Sequence, residues 1–452
     1  MKKILTIAGS DTGGGAGIQA DLKTVAMLGA HGMSVITALT AQNSLGVQSV
    51  YPVPLPFIEM QMDAVLSDMA VDGAKTGMLW NSEVVVLVIK KLAEYQVKNL
   101  VVDPIMIAKD GSALLNEDGR EAIRKELIPR AVLVTPNLPE AEALTGLEVK
   151  TVKAMKEAAR QIHSFGAEAV LVKGGHLQGD PVDVLFDGAV FTELSSERAA
   201  EEAHGTGCIL SAAIATELAK GVSLEAAVQR ARSLTILSIK AAIALGKGKK
   251  CANPSAYLAN ERGKYEVIRS LRVAINRLKG EEDIGELIPE VSSNLGYALP
   301  FAQNKWDVAA VPGRIIRLGE TVVTVDAPEF GASQHIASII LTVMRYDPSF
   351  RSAINVRFSP HILQACREGG LHLLGFDRRE EPQEVKEREG SSLAWGIEKV
   401  LSEAGEVPDV VYDGGGWGKE PMLRILGKDP GDVAQKVIVI NTVLKEKRST
   451  KT

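Results

Sequence analysis

Ala131-Val132-Leu133-Val134-Thr135-Pro136, running into Asn137-Leu138-Pro139-Glu140, is the stretch on which the fold of the first half turns. A short apolar run stopped by proline is the pattern of a strand buried on both faces. The pattern recurs at Leu100-Val101-Val102-Asp103-Pro104 and at Ala169-Val170-Leu171-Val172-Lys173-Gly174. Ile4-Leu5-Thr6-Ile7-Ala8-Gly9, Ser34 to Thr40 and Ala74-Lys75-Thr76-Gly77 are further strand candidates, with helices predicted over Asp21 to Leu28, Phe57 to Leu66 and Glu83 to Glu94. Repeated β-α-β units imply a parallel sheet covered by helices on both faces. Ligands of such sheets bind outside the carboxyl ends of the strands. Gly9-Ser10-Asp11, Asp103-Pro104, Thr135-Pro136-Asn137 and Lys173-Gly174-Gly175 all fall at such ends, which points to a single active site.

Ala203-His204-Gly205-Thr206-Gly207-Cys208 opens a run of small apolar residues that lacks Gly and Pro from Ile209 to Lys220. That run predicts a buried helix, with the Gly-Thr-Gly loop at its N-terminus. Unpaired N–H groups and the positive end of the helix dipole suit a phosphate or a developing phosphoryl charge there. Cys208 opens the helix, and the dipole predicts that it is partly thiolate. An anion hole beside a base suggests phosphoryl transfer to an alcohol. The plain alternative is a tight turn with a buried cysteine.

The chain has 452 residues, enough for two or three domains, and 46% hydrophobic residues, a normal globular value. Aromatic residues make up only 4%, so the cores are built from Ala, Val, Leu and Ile. A net charge of −5 gives no electrostatic case for nucleic acid or an acidic membrane. Cys208, Cys251 and Cys366 are too far apart for a disulfide framework or a zinc pattern, which fits a reducing cytoplasm. The first apolar run is too short for a signal peptide, and no 18-residue apolar span follows. Small-molecule substrates and a homodimer or higher homo-oligomer are expected.

Each motif has two readings. The glycines of Gly9-Ser10-Asp11-Thr12-Gly13-Gly14-Gly15-Ala16-Gly17 allow a backbone to approach a ligand closely, or form a flexible loop. Their spacing does not fit a dinucleotide fingerprint, and no acidic residue ends the second strand near Leu39. Asp103 and Glu140 at strand ends suit Mg²⁺ bound through waters and phosphates, while Glu140 equally suits a helix N-terminus. Lys173 offers a point charge to phosphates or is solvated. Gln42 presents an amide to a ring with donor and acceptor edges, or is satisfied within its loop.

Taken in order and spacing, Ala8 to Asp21, Thr40-Ala41-Gln42-Asn43, Lys75-Thr76-Gly77-Met78, Val102-Asp103-Pro104, Thr135 to Ala141 and Val172-Lys173-Gly174-Gly175-His176 resemble one family. It is the hydroxymethylpyrimidine/phosphomethylpyrimidine kinase of thiamine biosynthesis, within the ribokinase-like superfamily, and the likeness covers residues 1–255. Ribokinase-like sugar kinases place an aspartate after Gly-x-Gly, where Cys208 stands here. Ile105 after Pro104 departs from the valine common in the family, a change in the pocket wall. The resemblance implies a three-layer parallel-sheet kinase domain that uses ATP and Mg²⁺. The resemblance further implies phosphorylation of 4-amino-5-hydroxymethyl-2-methylpyrimidine and then of its phosphate. In that assignment Gly9, Asp21, Gln42 and Met78 bind the substrate, with Gln42 reading the ring and Met78 covering its face. Asn137, Lys173, Gly205, Thr206 and Gly207 bind ATP phosphates, Asp103 and Glu140 organise Mg²⁺, and Cys208 takes the alcohol proton. A pyridoxal kinase shares the fold and loop and stands as an alternative.

The pattern relaxes at Gly246-Lys247-Gly248-Lys249-Lys250, after an Ala-rich helix from about Leu224 to Leu245. A second helical stretch, Asn253 to Arg262, leads to a boundary near Lys264, with residues 256–264 as a linker and residues 265–452 as a smaller α/β/α domain. There a helix to Lys279, strands at Asn294 to Ala298, Thr321 to Val325, Ala353 to Phe358 and Leu371 to Phe376, and a helix from Gln334 to Arg345 are predicted. Ser333 reads as an N-cap, making a second helix N-terminus able to hold an anion. Asp377 to Glu389 reads as a solvated loop, and the tail from Lys445 as frayed. Asp307 to Arg314, Phe330-Gly331-Ala332-Ser333-Gln334-His335 and Gly418-Lys419-Glu420-Pro421 resemble the archaeal-type thiamine-phosphate synthase domain over residues 265–445. The resemblance implies coupling of the pyrimidine diphosphate to a thiazole phosphate with release of pyrophosphate, and assigns catalytic roles to Arg314 and His335. A non-catalytic module that senses thiamine phosphate is the alternative.

Overall fold

The computed structural model describes residues 1–106, 117–177, 179–196, 198, 203–383, 391–416 and 418–449. The chain divides into two units, residues 1–257 and 258–452.

The first unit is built on strands β1 (Lys3–Ala8), β2 (His31–Ile36), β3 (Ala38–Asn43), β4 (Gly46–Pro52), β5 (Gly73–Thr76), β6 (Leu100–Val102), β7 (Leu133–Val134), β8 (Val170–Val172), β9 (Val182–Phe186), β10 (Phe191–Ser195), β11 (Ala203–His204) and β12 (Lys250–Cys251). Its helices are α1 (Gly17–Met27), α2 (Leu55–Leu66), α3 (Ser82–Glu94), α4 (Glu117–Ala122), α5 (Leu138–Thr145), α6 (Val152–Ser164), α7 (Thr206–Ala219) and α8 (Leu224–Lys240). The main sheet has eight strands in the order β10-β9-β8-β7-β6-β5-β1-β2. The six strands from β8 to β2 are parallel, as their short apolar runs predict; β9 and β10 extend that edge in antiparallel sense. Helices bury both faces, one around Val88, Leu127 and Ile162 and the other around Ile209, Ala213 and Ile214. Helix α7 is buried nearly all round, because apolar residues occupy every face of it.

The strand predicted over Ser34 to Thr40 is two strands. Thr37 is fully buried, donates its hydroxyl to the Met78 carbonyl at 2.7 Å, and marks where the chain leaves the main sheet. Beyond it β3 and β4 form a separate antiparallel hairpin. The Gly/Lys tract lies against the tip of that hairpin: the Gly248 N–H donates to Ser44 Oγ and the Lys249 N–H to the Ser44 carbonyl, both at 3.1 Å.

The expected linker over residues 256–264 is helical. Helix α9 (Ala256–Lys279) runs through it, and Gly263 does not break the helix because Leu271, Ala274, Ile275 and Leu278 bury its later face. The division of the two units falls in its first turn.

The second unit carries β13 (Leu295–Ala298), β14 (Val308–Ala310), β15 (Ile315–Leu318), β16 (Thr321–Thr324), β17 (Glu329–Phe330), β18 (Ser352–Arg357), β19 (Leu373–Phe376), β20 (Val410–Asp413) and β21 (Met422–Gly427). Its other helices are α10 (Gln334–Tyr346), α11 (Pro360–Glu368), α12 (Ser391–Ala404) and α13 (Pro430–Ser449). Seven strands form one sheet, β17-β14-β13-β18-β21-β20-β19, antiparallel except for β19 beside β20. Alternate strand residues face α9, α11 and α13 on one side and α10 and α12 on the other, giving three layers. The tail read as frayed is helical to Ser449, where Lys447 pairs with Glu368 at 2.7 Å.

Candidate active site

Two buried ammonium groups organise the carboxyl edge of the first sheet. Lys75 on β5 and Asp21 on α1 are wholly buried and pair at 2.9 Å, and Thr6 donates to the same carboxylate at 2.6 Å. Burial alone would lower the Lys75 pKa; the charges of Asp21, Cys208 and Asp103 hold it well above the usual lysine range. Asp21 therefore does not stand open to a ligand. It holds Lys75, which sequence reasoning passed over although a lysine inside a short buried strand was the available signal.

The second group is Lys173, after β8. It pairs with Asp103 Oδ1 at 2.8 Å and lies 4.0 Å from Glu140. Thr135 also donates to Asp103, at 3.2 Å. Lys173 is not solvated; its side chain is 15% exposed. Burial pushes the Asp103 carboxyl up, but Lys173 and Lys75 overcome this and hold it below the usual range. Glu140 has weaker compensation, and burial pushes it up to about 7. Asn137 and Glu140 also form a capping box at the start of α5. The Asn137 carbonyl oxygen of the side chain accepts the Glu140 N–H, and the Glu140 carboxylate accepts the Asn137 N–H, each at 2.8 Å. The expected phosphate ligand Asn137 thus spends its side-chain oxygen on the helix.

The Gly-Thr-Gly loop meets this cluster. Gly205 caps α7 with φ +89°, and a Cβ there would lie 1.8 Å from the Gly15 carbonyl oxygen. A Cβ on Gly207 would stand 3.4 Å from Lys173 Nζ and 3.7 Å from Asp103. The free N-terminus of α7, with Thr206 in its first turn, therefore opens beside a lysine and a carboxylate. Cys208 follows, and here the expected thiolate is corrected. Burial pushes its thiol up to about 11; Lys75 opposes this, while Asp21 and Asp103 add to it. Desolvation is the largest influence on this thiol.

The glycine-rich loop after β1 is ordered around Asp11. Its carboxylate accepts the N–H groups of Gly13, Gly15 and Ala16 at 2.8, 3.0 and 2.7 Å, and lies 3.3 Å from His204 Nε2. These amides are committed to Asp11 and are not free for a phosphate. A Cβ on Gly9 would lie 2.4 Å from the Met78 methyl, so Gly9 makes room for Met78. Gln42, on the hairpin, lies 3.0 Å from His204. A cavity of about 360 Å³ opens here, lined by Asp11, Gly15, Ser44, His204, Lys247 and Cys251 among others.

In the second unit Arg314 and the Lys419-Glu420 turn come together. Arg314, at φ +71°, donates to the Val291 carbonyl, and the Val291 N–H donates to Glu420 at 3.2 Å. Next to Lys419 are Ser392, at 2.7 Å, and the buried Glu381, at 3.5 Å. Arg378, placed by the sequence in a solvated loop, is 8% exposed. It pairs with the buried Asp413 at 2.5 Å, and Arg424 pairs with the same carboxylate at 2.8 Å. The remainder of that loop, residues 384–390, lies outside the described residues. His335 stands exposed in the first turn of α10, behind its N-cap Ser333. Because β14 and β17 are antiparallel, the segments to Arg314 and to His335 leave that ladder in opposite directions, and no bond joins the two among the described residues.

A helix N-terminus that meets a lysine and a carboxylate at the carboxyl edge of a parallel sheet is an arrangement suited to phosphate. The phosphomethylpyrimidine kinase model matches residues 11–253 and the thiamine-phosphate synthase ThiN model residues 270–439. The chain belongs to the phosphomethylpyrimidine kinase family, fused to a thiamine-phosphate synthase module. It is 34% identical over 442 residues to the bifunctional thiamine biosynthesis protein ThiDN of Methanocaldococcus jannaschii, covering 97% of this chain and 98% of that one. It is 51% identical over 247 residues to the bifunctional protein ThiED of Geobacter sulfurreducens, covering 54% of this chain and spanning only half of that relative. Among solved structures, the ADP complex of Bacillus subtilis pyridoxal kinase is similar at 40% identity and a TM-score of 0.53, over 57% of this chain and 98% of that one. This likeness supports the ribokinase-like reading of the first unit. Among the described residues, no helix is long and apolar enough to cross a membrane.

Proposed function

We propose that the first unit transfers the γ-phosphoryl group of ATP to the hydroxymethyl group of 4-amino-5-hydroxymethyl-2-methylpyrimidine, and then phosphorylates the product to the diphosphate. The second unit joins that diphosphate to a thiazole phosphate, releasing pyrophosphate. The observation that carries the first reading is the meeting of Lys173, Asp103 and the α7 N-terminus around Gly207. The Gly205–Gly207 amides and Lys173 hold the transferring phosphoryl group, where preorganised donors act most strongly.

Mg²⁺ fits this site through Asp103 and Glu140. The cluster holds three carboxylates, Asp21, Asp103 and Glu140, against two lysines, and Glu140 is the one left poorly compensated. Among the described residues no three His, Cys, Asp or Glu side chains gather as a metal cage. Two carboxylates with phosphate and water oxygens are the usual donor set for this ion. When bound it would neutralise charge on the phosphates. Cys208 takes the alcohol proton as the new bond forms. Its high pKa makes it a strong base when ionised and leaves little of it ionised at neutral pH. The second phosphorylation starts from an ionised phosphate and needs no such base.

For the second unit, the Arg378–Asp413–Arg424 cluster and the neighbouring Arg314 and Lys419 supply cations for the leaving pyrophosphate. His335 keeps its proposed catalytic role beside the α10 N-terminus. A coupled assay with the pyrimidine alcohol, ATP, Mg²⁺ and thiazole phosphate tests the whole reading by formation of thiamine phosphate. Arg314→Ala and His335→Ala should abolish that product and leave kinase turnover unchanged. A wild-type chain that binds thiamine phosphate and never forms it would identify a sensing module. The pyridoxal kinase likeness favours a second reading of the first unit, in which pyridoxal is the better alcohol; the ratio of kcat/KM for the two alcohols decides it.

A further inference from the structure

The hydrogen-bond partners of Gln42 determine which way its amide faces. In the structure Nε2 lies 3.0 Å from His204 Nε2, and Oε1 lies 3.3 Å from Thr40 Oγ1. Both neighbours ask for the reverse. The single Thr40 hydroxyl proton goes to the Ser10 carbonyl at 2.9 Å, so Thr40 Oγ1 has only a lone pair left for Gln42. On the other side, His204 Nε2 lies 3.3 Å from Asp11 Oδ2. The Asp11 carboxylate also gathers three backbone N–H groups, the environment of an ionised carboxylate. A carboxylate beside Nε2 selects the tautomer with the proton on that nitrogen, which then has no lone pair for an amide N–H. Exchanging the ends of the amide moves no other group, gives Thr40 Oγ1 a donor, and lets the one His204 Nε2 proton be shared between the Gln42 oxygen and Asp11 Oδ2.

We propose that His204, oriented by Asp11, is a specificity-determining positioning residue that locks the Gln42 amide with its oxygen toward the imidazole and its nitrogen toward Thr40. The free edge of the amide then shows one N–H and one lone pair in a fixed order. That edge matches a ring bearing an amine beside an unprotonated ring nitrogen, as in an aminopyrimidine. It does not match a hydroxypyridine ring, which has no such amine. The proposal rests on the reading that Gln42 contacts the substrate ring.

The test is steady-state kinetics of the full chain with the aminopyrimidine alcohol and with pyridoxal. His204→Phe keeps a ring and removes the donor. Its KM for the aminopyrimidine alcohol should rise about tenfold, as expected for one lost or mismatched hydrogen bond. The preference for that alcohol over pyridoxal should fall by a similar factor, with KM for ATP unchanged. His204→Gln, which can still donate, should restore much of the preference. In a Gln42→Ala background His204→Phe should add nothing. Thr40→Val, which removes the other anchor, should shift the same ratio and serves if His204→Phe does not fold. An unchanged ratio in both variants, or a His204 effect of full size in the Gln42→Ala background, would overturn the proposal while leaving Gln42 in the site. A Gln42→Ala chain with unaltered KM for the aminopyrimidine alcohol would remove Gln42 from the site, and the proposal with it.

Discussion

The two units bury ion clusters of opposite charge balance. In the first, two lysines face three carboxylates in the interior, and Glu140 is the carboxylate with the weakest compensation. In the second, two guanidinium groups share one buried carboxylate, Asp413, so the cluster holds one cation too many. Under the proposed function, a surplus of carboxylates suits a kinase site whose phosphates arrive together with Mg²⁺. Under the same reading, the surplus of guanidinium groups suits a site that holds departing pyrophosphate. The difference also concerns residue type. Lysine in the first unit acts as a point charge, whereas arginine in the second is fixed in bidentate geometry on Asp413.

The largest effect should come from breaking the balance of the first unit at its most buried pair. Lys75→Met leaves Asp21 charged and unpaired, and should destabilise the first unit by about 3–5 kcal/mol. Chemical denaturation of the full chain, followed in the transition of that unit, measures it. Asp21→Asn combined with Lys75→Met should recover much of the loss; a double variant as unstable as the single one would mean that packing, not charge, is responsible.

Next in size is the proton transfer. Cys208→Ala should slow phosphorylation of the alcohol by about 10²-fold and the second phosphorylation less. In the wild type, kcat/KM for the alcohol should climb about tenfold per pH unit through pH 8 to 10, because burial pushes the thiol up to about 11. The second step should stay flat over that range. A plateau in the first step below pH 8 would restore the thiolate that the sequence suggested.

The smallest effect concerns Glu140. Burial raises the Glu140 pKa from its unfolded value to about 7, so the folded state binds the extra proton between those values. Stability from this group is therefore greatest at low pH and falls as pH rises toward 7. Glu140→Gln should raise the melting temperature by a few degrees at pH 8 and hardly at all near pH 4. Mg²⁺ with a non-hydrolysable ATP analogue should stabilise the wild type at pH 8 more than the variant. Equal stabilisation of both would take Glu140 out of the metal site.

Much of this molecule was legible in its sequence because strands, caps and loops are local. The apolar runs ending at Pro104, Pro136 and Gly174 are β6, β7 and β8, and the Asn137–Glu140 spacing is the capping box of α5. Ser333 is the N-cap that its position suggested. The break at Thr37 was not legible, since the residues on both sides have strand character and only the partner strands differ. Nor was the continuity of α9, which depends on what its apolar face packs against.

What the sequence by itself determined is the run of parallel strands in the first unit, the helix N-terminus after Gly205 and the families that share its motifs. What only the tertiary structure decided is the charge state of the site. Cys208 reads as a thiolate from its helix position, and becomes a neutral thiol because burial removes the water that would stabilise the anion. Asp21 reads as a ligand and is instead the partner of Lys75, 54 residues away. Asp11, Gln42 and His204 meet across separations of up to 193 residues. Arg378 reads as solvated and is buried on Asp413. Local pattern sets backbone geometry, because helices and strands follow from near neighbours. Desolvation and ion pairing depend on distances that exist only once remote segments have packed together.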